Sequence, residues 1–520
     1  MNSSNSKDRQ RRKVSSQSPS DCGEDRRTSD VLISRRRFLK FTTAGTVAAG
    51  FTSARWLSAA TRKPPNIIFI MADDLGYGHL SCYGQKKFQT PNIDRLAADG
   101  MKFTQYYAGY TVCAPSRSVL MTGLHHGHTP VRSNSGSSSL LENETTVAQV
   151  LKNAGYVTGG FGKWGLGLEN MPGAPFRKGF DEFYGFYHQV HAHFYYPYWI
   201  WHNNEKLMLT GNDHKFEQYV DDVLHKNAMD FIRANAKKDQ PFFCYIPSII
   251  PHVELAVPED SAKPYRGKFP KTTINDPRPG YLGSDDAYAV YAGMISRLDR
   301  NVGQIMMLLK DLNIDNNTIV FFTGDNGPQA GPWEPLREFF NGAGPLRASK
   351  GSLYEGGIRV PFIVRWPDRI KPGSTSEHIG GFQDMMPTLA QLASVKPPRN
   401  DGISIVPTLL GQKSRQQKHK YLFWGGASTG AVRMEKYKAV KPDKKKSWEL
   451  YDLSTDIGET NNIASAHPAL VTRIEQFASE AFVTSRRQIG GQWPHISEYV
   501  RGERVDKLKK SKTPSNRGKK

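Results

Sequence analysis

One stretch of the chain, Asn66-Ile67-Ile68-Phe69-Ile70-Met71, indicates the fold class. It is a continuous apolar run, and such runs are typical of a β-strand that is buried on both faces. Similar runs predict four more strands, at residues 156–161, 241–246, 318–323 and 361–366. Strands of this kind need a layer of helices above and below the sheet.

Helical patterns lie between these runs. Thr90 and Pro91 supply an N-cap and a first-turn proline for a helix that should end at Gly100. The same signals predict a short helix over residues 146–153, and longer patterns cover residues 217–236 and 287–312. Strands that alternate with helices predict an α/β fold, with a large, mostly parallel central sheet and helices on both faces.

The chain has 520 residues, which is enough for a large domain and a smaller one. The composition turns polar around residues 411–420, so we expect the main domain at 61–410 and a small α+β domain at 411–500. In the small domain, short runs predict an antiparallel sheet, at 421–424, 430–434, 437–440 and 448–453, with a helix at 468–482. Residues 501–520 form a lysine-rich tail, for which a solvated segment is favoured over an anchor for polyanions.

The charge of the chain is unevenly distributed. The net charge is +21, of which residues 1–60 and 501–520 carry +7 each. A nucleic-acid-binding protein concentrates its cations on a folded face, so we expect no nucleic-acid partner. The positive remainder in the middle of the chain favours anionic substrates.

The four cysteines stand at irregular positions and without a Cys-x-x-Cys pair, which argues against a disulfide framework and a thiolate zinc site. They are Cys22, Cys82, Cys113 and Cys244.

Polar residues follow four of the predicted strands. Asp73-Asp74 comes after the first, Lys163 after the second, His252 after the third and Asp325-Asn326 after the fourth. Because the carboxyl ends of parallel strands meet at one edge of a sheet, we expect these groups to converge there. Each of them alone is more often a cap, a turn or a surface charge.

The two acidic pairs together predict a metal site. Asp73, Asp74, Asp325 and Asn326 offer three carboxylates and one amide, and all of these are hard oxygen ligands. Such ligands suit Ca²⁺ or Mg²⁺ better than a soft metal.

A second motif lies in Thr111-Val112-Cys113-Ala114-Pro115-Ser116-Arg117-Ser118-Val119-Leu120-Met121-Thr122-Gly123. A lone cysteine is usually a small buried apolar residue. The order Cys-x-Pro-Ser-Arg-x-x-Leu-x-Thr-Gly, however, resembles the signature of the formylglycine-dependent sulfatases, and the chain resembles their arylsulfatase-A-like branch from Asn66 to about Phe482. The resemblance implies the fold of the alkaline phosphatase superfamily.

The resemblance also implies a chemistry. A formylglycine-generating enzyme would oxidise Cys113, and the formylglycine hydrate would attack the sulfur of a sulfate ester. Ca²⁺, in preference to Mg²⁺, would be held by Asp73, Asp74, Asp325 and Asn326 together with an oxygen on residue 113. The remaining roles are implied in the same way: Lys163 and Lys350 bind the sulfate oxygens, Arg117 supports the nucleophile, Asp325 is the base and His252 serves the leaving group.

Other readings of the same motif stay open. A formylglycine-dependent phosphodiesterase or phosphonate hydrolase would use the same nucleophile and metal. A non-catalytic protein that binds sulfated glycans would keep an unmodified Cys113. A metal-dependent phosphatase with a hydroxyl nucleophile would use Ser116.

One departure from the family pattern concerns turnover. The family block Gly-Lys-Trp-His-Leu-Gly reads Gly162-Lys163-Trp164-Gly165-Leu166-Gly167 here, so the histidine that helps to regenerate the aldehyde is missing. Nearby histidines could replace it or bind substrate, namely His188, His191 and His193. The aromatic residues around them, at 184–201, suit either a wall that binds a sulfated polysaccharide or ordinary core packing.

We expect residues 1–60 to be a disordered extension and a signal peptide. Ser34-Arg35-Arg36-Arg37-Phe38-Leu39-Lys40 resembles the twin-arginine export signal, and the apolar run after it is too short to span a bilayer. A basic nuclear or membrane-surface patch is the alternative. Cleavage after Ala60 would release a periplasmic or secreted protein without a stable membrane anchor, so the Tat export machinery is an expected partner.

Overall fold

The computed structural model describes residues 63–134, 138–278, 280–426, 428–484 and 496–501. The proposed export signal and most of the basic tail therefore lie outside the described residues. Within the described part, no helix combines the length and the apolar character needed to cross a lipid bilayer.

The strands, numbered in chain order, are β1 Asn66–Ala72, β2 Met101–Phe103, β3 Tyr106–Tyr107, β4 Val157–Lys163, β5 Glu182–Phe186, β6 Trp199–His202, β7 Glu205–Met208, β8 Phe242–Pro247, β9 Thr318–Gly324, β10 Phe362–Arg365, β11 Ser374–Ser376, β12 Gly380–Gly381, β13 Leu422–Gly425, β14 Gly430–Met434, β15 Tyr437–Lys441 and β16 Glu449–Asp452.

The α-helices are α1 Pro91–Ala98, α2 Cys113–Thr122, α3 Val147–Asn153, α4 Val220–Ala236, α5 Glu259–Ala262, α6 Ala287–Asp311, α7 Glu334–Phe339, α8 Glu355–Ile358, α9 Met385–Leu392, α10 Val406–Leu409 and α11 Pro468–Ala481. The α3 helix begins with a capping box, in which Thr146 and Gln149 each accept a backbone N–H from the other.

The central sheet has ten strands in the order β11-β2-β10-β9-β1-β8-β4-β5-β6-β7. Its middle is parallel: β1 pairs with β9 on one side and with β8 on the other, and β4 joins β8 to β5. The predicted α/β fold with a mostly parallel sheet is confirmed. The outer strands depart from it, because β10 runs antiparallel to β9 and β6 runs antiparallel to β5.

Both faces of the sheet are covered, as the uninterrupted apolar character of β1 predicts. Alternate side chains of β1 point to opposite faces. Ile68 and Ile70 pack into the core layer that contains α4 and α6, whereas Ile67, Phe69 and Met71 pack into the layer that contains α2, α3 and α9. The carboxyl end of β1 is therefore fixed from both sides.

A four-stranded antiparallel sheet, in the order β13-β14-β15-β16, forms the C-terminal part. One face of this sheet packs on α11 through Ile474 and Phe477. Its other face packs on Tyr107 and Ile358 of the main part. The predicted small antiparallel sheet with one helix is thus observed, while the domain boundary near residue 411 stays a prediction.

A buried group of charges joins the two sheets. Lys438, in the middle of β15, donates to Glu459 at 2.8 Å and lies 3.0 Å from Glu355, the first residue of α8. Glu355 also accepts from Tyr107 at 2.9 Å and from Arg359 at 3.1 Å. Lys438, Glu355 and Glu459 are all fully buried. Because removing one partner of a buried ion pair leaves an unpaired charge, this group fixes the segment that begins α8.

We expect Lys438→Met to lower the free energy of unfolding by about 3–5 kcal/mol, since Glu459 would lose its buried cation and Glu355 would keep its pair with Arg359. Urea unfolding of the purified protein measures the change. Lys436→Met is the matched control, because Lys436 pairs with Asp452 on the surface and exposed pairs of this kind contribute little to stability. Equal losses in the two variants would contradict the role assigned to Lys438.

Candidate active site

Two pairs of polar residues, Asp73-Asp74 and Asp325-Asn326, lie side by side at the carboxyl ends of β1 and β9. Asp73 and Asp74 follow β1 directly, and Asp325 and Asn326 follow β9 directly; all four side chains are fully buried. The backbone N–H of Asp325 donates to Ala72 O at 3.0 Å, and the N–H of Asp74 donates to Asp325 Oδ1 at the same distance. The parallel pairing of β1 with β9 is what brings the pairs together.

Cys113 begins α2 beside the first pair. Its Sγ donates to Asp73 Oδ1 at 3.2 Å and lies 3.8 Å from Asp74 Oδ1. Burial raises the pKa of this thiol well above its usual value, and the neighbouring Asp325 and Asp73 raise it further. An unmodified Cys113 is therefore a protonated thiol and a poor nucleophile.

Arg117 lies one turn further along α2 and fixes the second pair. Its guanidinium donates to Asp325 Oδ2 through Nε at 3.0 Å and Nη2 at 2.8 Å. Its Nη1 donates to the carbonyl of Lys163 at 2.6 Å, so Arg117 connects β9 to the end of β4. Two N–H groups therefore donate to one carboxylate oxygen, which the planar guanidinium of an arginine allows and a lysine ammonium does not.

Ser116 has a structural role in the same turn. Its hydroxyl donates to Asp325 O at 2.5 Å and accepts the N–H of Gly109 at 3.0 Å. Both contacts hold the backbone, which argues against Ser116 as the nucleophile.

Two lysines cover the acidic pair that follows β1. Lys163 Nζ, at the end of β4, donates to Asp73 Oδ2 at 2.5 Å, and Lys350 Nζ donates to Asp74 Oδ2 at 2.5 Å. Burial would raise the pKa of Asp73, but Lys163, Arg117 and Lys350 outweigh it and hold this pKa well below its usual range. Burial alone would lower the pKa of Lys350, but Asp74 and the other negative groups of the centre together raise this pKa and keep the ammonium charged.

His252 lies beside Lys350 and is buried. Its Nε2 accepts from Lys350 Nζ at 2.9 Å and lies 3.2 Å from Asp74 Oδ2. Its Nδ1 donates to Val253 O at 3.2 Å, which leaves Nε2 as the acceptor. Burial and the charge of Lys350 lower the pKa of His252 well below its usual value, so the imidazole is neutral.

The comparisons with known proteins agree with this geometry. The model of the Sulfatase family matches residues 65–395, and the model of the C-terminal region of N-sulphoglucosamine sulphohydrolase matches residues 348–480. The first match covers more than half of the chain. The chain belongs to the sulfatase family.

Relatives of the sulfatase are similar over most of its length. Human arylsulfatase A is 32% identical, over 80% of this chain and 87% of its own. The N-acetylgalactosamine-6-sulfatase of Canis lupus familiaris is 30% identical, over 79% and 78%. Among solved structures, Ps i-CgsB in complex with a neocarrahexaose is 26% identical, with a TM-score of 0.69 over 87% of this chain and 98% of that one. The sulfatase is therefore a sulfuric ester hydrolase with the fold of its family.

The acidic centre of the sulfatase fits a divalent cation. Ligand atoms of Asp73, Asp74, Cys113 and His252 lie within 4.8 Å of one another. Asn326 donates through Nδ2 to Asp74 Oδ1 at 2.6 Å, and its buried Oδ1 has no hydrogen-bond partner among the residues that the structure describes. Burial raises the pKa of Asp325 to about 6 and also raises that of Asp74, and a nearby cation would favour both ionised forms. Three carboxylates and a free amide oxygen suit a hard cation.

The histidines proposed as substitutes lie in different places. The ring of His193 stacks on that of His252 at 4.4 Å, and His193 Nδ1 lies 2.9 Å from the hydroxyl of Tyr281. His191 instead stacks on Tyr499 at 4.1 Å, and its Nε2 lies 2.9 Å from Trp199 O. His188 also faces Tyr499, at 6.4 Å. Of the three, the structure brings His193 to the acidic centre.

The space above Gly165 is filled by a residue that the sequence does not single out. A Cβ atom at position 165 would lie 1.7 Å from Gln189 Nε2, so a histidine there is incompatible with the observed position of Gln189. Gln189 lies within the aromatic stretch already considered, but an isolated glutamine between histidines carries no sequence signal of its own.

Proposed function

We propose that the sulfatase hydrolyses sulfate esters on a sulfated carbohydrate, by means of a formylglycine derived from Cys113 and a bound Ca²⁺. The observation that carries this proposal is the position of Cys113. Its Sγ lies 3.2 Å from the Asp73 carboxylate, and Lys163 and Lys350 each bind a carboxylate of the same acidic pair at 2.5 Å. A nucleophile, a cation site and two ammonium groups therefore meet at one point of the sheet edge.

The modification of Cys113 would need the formylglycine-generating enzyme as a partner. The hydrate of formylglycine would supply a hydroxyl that the buried thiol cannot replace, and a bound Ca²⁺ would supply positive charge to the centre. Asp73, Asp74, Asp325 and Asn326 are the proposed ligands, together with the modified side chain of residue 113. Asp325 is also the proposed base, and its carboxylate is oriented by Arg117 and by the N–H of Asp74.

The charges around the centre suit a sulfate ester. The carboxylates of Asp73, Asp74 and Asp325 are balanced by three cations, Arg117, Lys163 and Lys350. A divalent cation therefore leaves an excess of two positive charges, which would attract a singly charged sulfate ester. Fixed charges in a buried site stabilise the charge that develops as the ester bond breaks.

Lys350 and His252 would protonate the departing alcohol. In this arrangement Lys350 Nζ holds the proton and donates it to His252 Nε2, while His252 Nδ1 is fixed by Val253 O. We propose that Lys350 Nζ gives a proton directly to the leaving oxygen, and that His252, whose Nε2 accepts another N–H of the same ammonium, orients it for this transfer.

The sugar would lie against His193 and Tyr281. His193 and Tyr281 are only partly buried, and His193 connects His252 to the Tyr281 hydroxyl. Several relatives carry names that refer to sulfated amino sugars, which supports a carbohydrate as the carrier of the ester. An aromatic wall beside polar groups is a common surface for sugars.

We also propose that the sulfatase is exported by the twin-arginine route and acts in the periplasm or outside the cell. The support is the sequence Ser34-Arg35-Arg36-Arg37-Phe38-Leu39-Lys40 alone.

We expect Arg35→Lys/Arg36→Lys to retain the enzyme in the cytoplasm, as measured by fractionation. Active wild-type enzyme in the cytoplasm with residues 1–60 intact would contradict export.

We expect wild-type enzyme to hydrolyse an aryl sulfate with a kcat/KM at least about 100-fold above that for an aryl phosphodiester. A phosphodiester carries a second ester group, and the charged groups of the centre are arranged around the oxygens of a single transferring group. Cys113→Ala should lose about 10³-fold or more of this activity. Ser116→Ala is the matched control and should lose less than about tenfold, since Ser116 only bonds the backbone. A higher rate on the phosphodiester would favour the phosphodiesterase reading.

The same preparation should contain formylglycine at position 113. Mass spectrometry of the peptide should show a loss of about 18 Da relative to an unmodified cysteine. A free thiol in a fully active preparation would reject the formylglycine mechanism.

We expect His193→Ala to raise KM for a sulfated oligosaccharide about tenfold and to change KM for a small aryl sulfate much less, because His193 borders the sugar side of the centre. His191→Ala is the comparison: it should lower the melting temperature through the lost contact with Tyr499 and leave both KM values near those of the wild type. Equal KM changes on the two substrates in His193→Ala would show that His193 does not contact the sugar.

A further inference from the structure

We propose that the side-chain amide of Gln189 is a binding group of the active centre, and that it contacts the oxygens of the sulfate and of the nucleophile. This inference rests on the proposed function. It begins from a buried side-chain amide, that of Gln189, for which the described residues provide no hydrogen-bond partner.

Gln189 is buried, with 4% of its surface exposed. Neither Nε2 nor Oε1 has a hydrogen-bond partner among the residues that the structure describes. An unsatisfied amide buried in this way destabilises the folded state, so it is rarely kept without a reason. A ligand that offers both an acceptor and a donor would satisfy it.

The amide lies next to the strand end that carries Lys163. β4 ends at Lys163, and two backbone bonds hold the next residues to the segment that follows β5, because Trp164 N–H donates to Phe186 O at 2.9 Å and Gly165 N–H donates to Tyr187 O at 3.1 Å. Gly165 has a left-handed φ of 76°, so the chain turns at this residue, two positions after Lys163. Gln189 Nε2 lies at the place of a Cβ on residue 165.

The indole of Trp164 is buried in the core, where its Nε1 donates to Gly173 O at 2.7 Å. Further along the chain, the segment that carries Gln189 reaches His193, which stacks on His252. The amide therefore lies between Gly165, two residues after Lys163, and the turn that brings His193 to His252.

The chemistry of an amide defines what it can bind. Nε2 donates two hydrogen bonds, which suit the oxygens of a sulfate group, and Oε1 accepts one, which suits a hydroxyl. An amide does not titrate in the physiological range, so it can hold these oxygens but cannot serve as a base. Gln189 is therefore a residue that binds and orients oxygens beside the nucleophile, and the proton transfers fall to other groups.

The test compares two buried glutamines. Gln189→Leu should raise the melting temperature by a few degrees, since it removes an unsatisfied amide. It should also weaken the binding of inorganic sulfate and lower kcat/KM for an aryl sulfate, each by about tenfold. Gln85→Leu is the control, because Gln85 donates to Gly78 O and Phe340 O and accepts from two backbone N–H groups. That variant should lower the melting temperature.

Sulfate binding by calorimetry separates this inference from the proposed function, because it needs no turnover. Unchanged sulfate affinity and kcat/KM in Gln189→Leu would overturn the inference and leave the proposed function standing. A lower melting temperature in Gln189→Leu would also overturn it, since the amide would then have a structural partner. If leucine prevents folding, Gln189→Ala provides the same sulfate measurement: a loss of affinity supports the inference and an unchanged affinity overturns it. Absence of turnover on every sulfate ester by the wild type would reject the proposed function instead.

Discussion

The structure depends on the burial of three carboxylates at one sheet edge. Asp73, Asp74 and Asp325 lie within a few ångströms of one another and out of contact with solvent, and such a group is stable only if opposite charges are buried with it. Arg117, Lys163 and Lys350 meet this requirement from three different segments of the chain. Each of these segments must therefore return to the same point, and this fixes the positions of α2, the end of β4 and the loop before α8.

The C-terminal sheet takes part in this arrangement at a distance. Lys350 comes five residues before Glu355, and Glu355 is held by Lys438 of β15. The loop that carries Lys350 is therefore anchored at one end by an ion pair in the centre and at the other by an ion pair under the small sheet. This explains why the resemblance to sulfatases extends beyond the central sheet: the small sheet positions a residue that contacts the acidic group.

The sequence could predict the convergence of the strand ends because parallel strands of a central sheet have one geometry. Apolar runs followed by Asp73-Asp74, Lys163 and Asp325-Asn326 define such strands, and their pairing places the side chains together. The direction of β10 could not be predicted, since an apolar run does not specify parallel or antiparallel pairing. His191 and His193 could not be distinguished either. Only the short turn over residues 191–193 sends one ring to His252 and the other to Tyr499. Gln189 was missed because an unsatisfied amide is a property of the packed structure, and no local pattern marks it.

Cys113 is about 1% exposed, and its Sγ contacts Asp73. The helix α2, which Cys113 begins, is packed into the core. A modifying enzyme needs to enclose the side chain that it oxidises, and the folded sulfatase does not present this one. On the proposed function, the oxidation must take place while the segment 111–123 is still extended, before the helix docks. A chain that folds before Cys113 is oxidised can no longer be modified. The yield of active enzyme then depends on the rate of oxidation relative to the rate of folding during biosynthesis.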